Sequence, residues 1–191
     1  MRTTFHLKKR SIFALAFLLG LAPVLVESFL HRPHDSLEKK PLPLTDNVYV
    51  TEQLKREDIF AVSKEGFKTL IDIRPDGEVP DEIPSSDAGR IAVQTGLKFA
   101  YVPVPHGPIP ASAVTALSDA LAGKPRPVLL YCHSGRRAAR TFSLVEASRP
   151  GGLDAAHILA MVKAAGQSAD DLSAEINDRI AHRSAQAGAH P

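Results

Sequence analysis

The sequence predicts an α/β domain with a mostly parallel central sheet that is flanked by helices on both faces. Short apolar or alternating segments, which are typical of strands, alternate along the chain with longer segments of helical periodicity. This order of elements is the pattern of a parallel sheet covered by helices. One segment, residues 127–131, is a continuous apolar run, as expected for a strand that is buried on both faces.

The predicted elements follow one another from residue 47 onward. The strands are residues 47–51, 68–73, 99–104 and 127–131. The helices are residues 53–64, 86–94, 111–122 and the stretch that follows a loop within 134–146, and two more cover about 153–165 and 169–182. Gly66 and Gly96 are placed to end the first two helices. Ligands of such sheets bind at the carboxyl ends of the strands, and Cys132 directly follows the buried run.

The first thirty residues have the layout of an export signal, with an N-terminal hydrophobic helix. Four cations and no acid precede residue 11, and residues 12–26 carry no charge. Residues 1–30 are therefore expected to be a signal anchor or a signal peptide. The apolar run is short for a transmembrane helix, but no clean A-x-A cleavage site follows it, and the anchor is favoured. The positive-inside rule then predicts a membrane-anchored, exported domain, periplasmic in a bacterium, or a secreted one if the segment is cleaved.

The rest of the chain divides into three predicted parts. Residues 31–45 contain three prolines and are interpreted as a linker, residues 46–185 as the α/β domain, and residues 186–191 as a disordered tail. The formal net charge of the whole chain is +2, but four cations precede residue 11, and the remaining 19 Lys and Arg against 21 Asp and Glu give −2. Without a basic face or a series of aromatic residues, nucleic-acid binding is not expected.

Cys132 is the only cysteine, so an internal disulfide is excluded. It begins a loop in which Gly135 permits a sharp turn before a helix that starts near Arg136 or Arg137. Backbone N–H groups of such a loop and the positive end of the helix dipole form a site for an anion, and this field favours the thiolate. We therefore predict a reactive thiol. No histidine spacing suggests a metal site, and no cofactor is expected.

The positive charge around this thiol comes from the start of the helix. Arg137 is the best placed of the arginines to bind an oxyanion through two hydrogen bonds. The remaining residues of the predicted anion-binding loop are His133, Ser134, Gly135 and Arg136.

Five segments carry a family resemblance: VYVTEQL at 48–54, GFKTLIDIRPDGE at 66–78, YVPVP at 101–105, GPIP at 107–110 and YCHSGRR at 131–137. In this order they resemble the phosphatase-like domain of the beta-lactamase-hydrolase-like family, within the superfamily of Cys-dependent tyrosine and dual-specificity phosphatases. The resemblance implies the protein tyrosine phosphatase-like fold, a nucleophilic Cys132 and an oxyanion-binding Arg137. Cys132 would attack phosphorus to form a thiophosphate enzyme, which water then hydrolyses.

The active loop departs from the phosphatase pattern in two ways. Phosphatases of the superfamily have C-x5-R, whereas Ala138 stands at that arginine position here and Arg137 gives C-x4-R. The usual general-acid Asp is replaced by Pro105-His106-Gly107, so His106 is the candidate acid, although it could equally be an exposed loop residue. Weaker acid candidates are Asp72, Asp76 and Asp87, of which Asp76 is expected to shape its turn.

The shorter loop also resembles the C-x-S-G-x-R loop of rhodaneses, which carry sulfane sulfur as a cysteine persulfide. Sulfur transfer needs a cationic site for the thiolate but no acid for an alkoxide leaving group. A phosphatase-like hydrolase acting on a phosphorylated substrate is therefore favoured, with a rhodanese-like sulfurtransferase acting on an anionic sulfane-sulfur substrate as the close alternative. A non-catalytic module that binds anionic partners is the third, although binding alone would not require Cys132.

Overall fold

The computed structural model describes residues 36–80 and 82–188, with side chains to residue 185. The strands are β1 (Leu42–Thr45), β2 (Val48–Thr51), β3 (Thr69–Asp72), β4 (Lys98–Tyr101) and β5 (Val128–Tyr131). The helices are α1 (Arg56–Lys64), α2 (Ser85–Gln94), α3 (Ala111–Leu121), α4 (Arg136–Ser148), α5 (Ala155–Ala164) and α6 (Ser173–Gly188), with a short 3₁₀ helix at Asp170–Leu172. The predicted signal segment, residues 1–30, lies outside the described residues.

The five strands form one sheet in the order β1-β2-β5-β3-β4. β1 is antiparallel to β2, and the other neighbouring strands are parallel. The predicted α/β fold with a mostly parallel sheet is thus confirmed. Thr51 and Asp72 both pair with Tyr131, so the three inner strands end level with one another. Cys132 therefore leaves the sheet at the middle of its carboxyl edge.

Two apolar layers cover the sheet, one on each face. Val128 and Leu130 of β5 pack in the layer that contains residues of α3, α4, α5 and α6. Leu129 and Tyr131 point to the other face and pack with α1 and α2. All four side chains are fully buried, which confirms the sequence prediction for this run.

The sheet begins earlier in the chain than the sequence analysis placed it. β1 lies within residues 31–45, the predicted linker, where it pairs with β2 and buries Leu44. An edge strand tolerates Pro43 because only one side of its backbone needs partners. At the other end, α6 continues to Gly188, past the predicted domain boundary at residue 185.

One helix begins later in the chain than predicted, and a side-chain hydrogen bond marks its start. α1 begins at Arg56 rather than residue 53, and Asp58 accepts the backbone N–H of Lys55 at its start. Across the described ranges, 36–80 and 82–188, no helix has the length and apolar character needed to cross a membrane.

Candidate active site

Cys132 lies at the floor of a cleft at the carboxyl edge of the sheet. Its residue is 1 % exposed, because β5 ends there and the chain turns at once into α4. Gly135 makes the turn with φ of +77°, and a Cβ at this position would lie 3.3 Å from the Thr51 carbonyl oxygen. A side chain here would therefore be both strained and crowded. The predicted helix start at Arg136 is confirmed.

The loop from Cys132 to α4 is held from outside by its carbonyl groups. The backbone N–H of Gln53 donates to the His133 carbonyl over 3.2 Å, and the Gln167 side-chain amide donates to the Ser134 carbonyl over 3.1 Å. Within the part of the chain that the structure describes, the N–H groups of residues 133–137 donate to no backbone carbonyl. Such N–H groups at a helix start are ready to bind an anion.

Arg137 is fixed end-on by a carboxylate. Its Nη1 and Nη2 donate to the two carboxylate oxygens of Glu78 over 2.5 and 2.7 Å, and Nη1 also donates to the Val104 carbonyl over 2.6 Å. The hydrogen bonds to Glu78 raise the pKa of Arg137, and attraction to the Cys132 thiolate adds to this. The guanidinium is therefore a permanent cation that also interacts with the Cys132 sulfur.

Glu78 is a site residue that the sequence analysis did not identify. Its side chain is only 14 % exposed, and the hydrogen bonds from Arg137 hold the pKa of its carboxyl below the usual range. An ionised Glu78 orients Arg137 but cannot donate a proton. The sequence did contain a signal for Glu78. It is the acidic residue that ends the RPDGE segment, five positions after the predicted strand at residues 68–73.

His106 reaches the same cleft from the loop that follows β4. Its Nε2 lies 3.3 Å from Glu78 Oε1, and its side chain is 78 % exposed at the cleft mouth. The structure thus brings His106 to the side of the cleft that Glu78 and Arg137 occupy. Its role as an acid stays a prediction.

Two other residues of the predicted anion-binding loop line the cleft and have exposed side chains. The imidazole of His133 is 62 % exposed, and its Nδ1 lies 3.5 Å from Glu82 Oε1. Arg136 is exposed at the first position of α4. Ser134 and Gly135 contribute mainly their backbone.

The three weaker acid candidates are engaged elsewhere. Asp76 accepts the backbone N–H and the hydroxyl of Ser85 over 2.7 and 2.6 Å, so it joins its turn to the start of α2, in line with its expected structural role. Asp87 pairs with Arg56 and Arg90 on the surface. Asp72 is fully buried beside Tyr131, and burial raises its pKa to about 6.

The cleft has a volume of about 530 Å³ and a mainly cationic polar lining. It is lined by Pro105, His106, Gly107, Pro108, Ile109, Cys132, His133, Ser134, Arg136, Arg137, Arg140, Asp171 and Leu172. Apart from residues 1–35, 81 and 189–191, which are not described, no group of three or more His, Cys, Asp or Glu could hold a metal ion. The arrangement is suited to binding an anion against a sulfur nucleophile.

Known proteins are similar to this chain in fold and, over part of its length, in sequence. A beta-lactamase hydrolase-like protein of Xylella fastidiosa (strain Temecula1) is 30 % identical over 108 residues, which are 56 % of this chain and 25 % of the relative. The chain thus matches only about a quarter of the length of that relative. A protein assigned as a phosphatase from Neisseria meningitidis Z2491 has a TM-score of 0.63 and 24 % identity, over 72 % of this chain and 96 % of its own.

Tk-PTP in its active form has the same fold, with a TM-score of 0.58 and 16 % identity, over 77 % of this chain and 99 % of its own. Residues 42–149, from β1 to the end of α4, match the sequence model of one protein family. That family is described as "Beta-lactamase hydrolase-like protein, phosphatase-like domain". The chain therefore belongs to the beta-lactamase hydrolase-like phosphatase-like domain family.

Proposed function

We propose that the protein is a cysteine-dependent, phosphatase-like hydrolase with Cys132 as its nucleophile. The observation that carries the proposal is the position of the only cysteine of the sequence, at the floor of a cleft lined by three arginines and within reach of the Arg137 guanidinium. The proposal is further supported by the membership of the phosphatase-like family.

In the first step, the Cys132 thiolate attacks phosphorus of a phosphate monoester. The S–P bond forms as the P–O bond to the leaving alcohol breaks. The loop N–H groups and Arg137 bind the phosphoryl oxygens, on which negative charge is held in the transition state. His106, at the cleft mouth, donates the proton that the leaving oxygen needs.

In the second step, water attacks phosphorus, the S–P bond breaks and phosphate leaves with the Cys132 thiolate restored. His106, now neutral, accepts a proton from the attacking water. Glu78 takes no proton in this scheme, because its ion pair with Arg137 keeps it charged. Its role is to direct the guanidinium at the bound oxygens.

Sulfur transfer is the second candidate, and one observation favours it. The loop has C-x4-R spacing, and Glu78, the acidic group nearest to Arg137, is held as the anion by that residue. In this reaction the Cys132 thiolate attacks the outer sulfur of thiosulfate, sulfite leaves with the electrons of the S–S bond, and a Cys132 persulfide remains. A thiophilic acceptor such as cyanide then removes the sulfur as thiocyanate. No proton donor is required for either leaving group.

A paired assay of the purified full chain separates the two reactions. Phosphate release from an aryl phosphate is compared with thiocyanate formation from thiosulfate and cyanide, each in the wild type and in Cys132→Ser. The proposal predicts phosphate release that the substitution abolishes. Thiocyanate formation without phosphate release would establish the sulfurtransferase, and neither reaction would favour an anion-binding module.

A further inference from the structure

Arg140 is held in the same way as Arg137, one helical turn further along α4. Its Nη1 and Nη2 donate to the two oxygens of Asp171 over 2.5 and 2.7 Å, and Nη1 also donates to the Ser168 carbonyl over 3.2 Å. In each case a carboxylate holds the end of the guanidinium and a backbone carbonyl accepts a further N–H. The chain therefore presents two similarly fixed arginines.

Both arginines line the cleft above Cys132. Residues three apart on a helix share a face, with about 5–6 Å between their Cβ atoms. The edge of a guanidinium formed by Nε and Nη2 can bind an oxyanion through two hydrogen bonds. Counting only residues 36–80 and 82–188, Nε of Arg140 donates to no protein group.

The carboxylate that holds Arg140 lies mostly in water. The Arg140 side chain is 13 % exposed, but that of Asp171 is 61 % exposed, so water can solvate Asp171 when the pair separates. An anionic group that enters the cleft can therefore exchange with Asp171 at Arg140.

We propose that Arg140 binds a second anionic group of the substrate, while the reacting group lies at Cys132 and Arg137. The substrate class is then a molecule with two anionic groups, the second a carboxylate or phosphate about one helical turn from the first. In the free protein Asp171 accepts the hydrogen bonds of Arg140. Ser168 and Asp171 lie beyond residues 42–149, the extent of the family match, so the groups that hold Arg140 come from the C-terminal part of this chain. The inference rests on the proposed function in requiring an anion at Cys132.

Protection of Cys132 from alkylation tests this site without requiring turnover. The chain has one cysteine, so the loss of intact thiol during iodoacetamide treatment reports on Cys132 alone. The ligands are 3-carboxyphenylphosphonate and 3-carbamoylphenylphosphonate. In the second compound an uncharged carbamoyl group replaces the carboxylate, and the phosphonate is unchanged. In the full-length wild type we expect the carboxylate to protect at a concentration about tenfold lower than the amide, and in Arg140→Gln we expect this ratio to fall to about one.

Arg149→Gln is the matched control, because Arg149 lies at the other end of α4 and pairs with Glu146. It should keep the wild-type ratio. Protection by phenylphosphonate shows in each variant that the loop is still formed. A ratio of about one in the wild type, or a preserved ratio in Arg140→Gln, would overturn the second site alone. Failure of all three phosphonates to protect the wild type would overturn the proposed anion site at Cys132 as well.

Discussion

Two arginines on one face of α4 are bound alike, but the carboxylates that hold them differ in exposure. Each donates both terminal nitrogens to a carboxylate over 2.5 and 2.7 Å, Arg137 to Glu78 and Arg140 to Asp171. The side chain of Glu78 is 14 % exposed, whereas that of Asp171 is 61 % exposed. Water therefore screens the second pair far more than the first.

This difference separates a fixed group from an exchangeable one. Arg137 stays paired with Glu78, which is shielded from water. Arg137 also interacts with Cys132. Arg140 is paired with a solvated carboxylate that an incoming anion can replace. The comparison predicts large effects from changes at Arg137 and Glu78 and smaller effects from changes at Asp171.

The largest effect is expected from Arg137→Ala. Loss of the guanidinium removes the main cation facing the phosphoryl oxygens, and kcat/KM should fall by about 10²–10³-fold. Arg136→Ala is the control on the next residue of the same turn, where the side chain is exposed, and it should change kcat/KM by less than about threefold. Steady-state kinetics with an aryl phosphate measures both. The reverse order would show that Arg136 is the oxyanion-binding residue.

The second effect concerns Asp72, at the same edge of the sheet. Its pKa is raised, whereas that of Glu78 is lowered. Burial raises the pKa of Asp72 to about 6, above its ordinary 3.8. The folded protein therefore binds a proton that the unfolded chain releases, and this residue's contribution to stability falls as the pH rises from about 4 through about 6. Asp72→Asn removes that loss and keeps an acceptor for the Arg74 N–H.

Urea unfolding at about pH 4.5 and about pH 8 measures this effect. Relative to wild type, Asp72→Asn should gain about 2–3 kcal/mol of unfolding free energy between the lower and the higher pH. Asp87→Asn is the control, because hydrogen bonds from Arg90 and Arg56 lower the pKa of Asp87, so this carboxyl stays ionised over this pH range and its substitution should give a difference that changes little with pH. A pH-independent difference for Asp72→Asn would show that burial of the charged form carries no penalty.

Glu78→Gln is expected to have the third largest effect, by loosening Arg137. An amide offers one oxygen in place of two and directs N–H groups at the guanidinium. We expect kcat to fall about tenfold. The Ki of inorganic phosphate should change less, because a negative charge is also removed from the cleft. A kcat as high as wild type would mean that Arg137 is oriented without Glu78.

Asp171→Asn should have the smallest effect and the opposite sign for binding. Removing the solvated charge leaves Arg140 with one competitor fewer, so 3-carboxyphenylphosphonate should protect Cys132 at a concentration about threefold lower than in wild type. The concentration of 3-carbamoylphenylphosphonate that protects Cys132 should not change, because its carbamoyl group carries no charge. Weaker protection by the carboxylate would mean that Asp171 holds Arg140 in its binding position, as Glu78 holds Arg137.

The sequence was most informative where local pattern decides structure. The apolar run of β5, the turn at Gly135 and the helix start at Arg136 depend on near neighbours, and these features located the thiol correctly. Arg137 could also be singled out, because its distance along the chain from Cys132 is short.

The features that were missed depend on residues far apart in sequence. The Arg137–Glu78 pair joins positions 59 residues apart, and the Arg140–Asp171 pair joins positions 31 apart. No periodicity encodes such pairs. β1 was missed for a similar reason, since its proline content is typical of a linker and its strand conformation comes from pairing with β2.

The most direct test is to trap the intermediate on Cys132. The full chain is mixed with an aryl phosphate, quenched in acid during turnover and digested, and the peptide that contains Cys132 is weighed by mass spectrometry. The account predicts the mass of one added phosphoryl group on that cysteine in wild type and none in Cys132→Ser, which should not turn over. Phosphate release by Cys132→Ser at the wild-type rate would contradict the account.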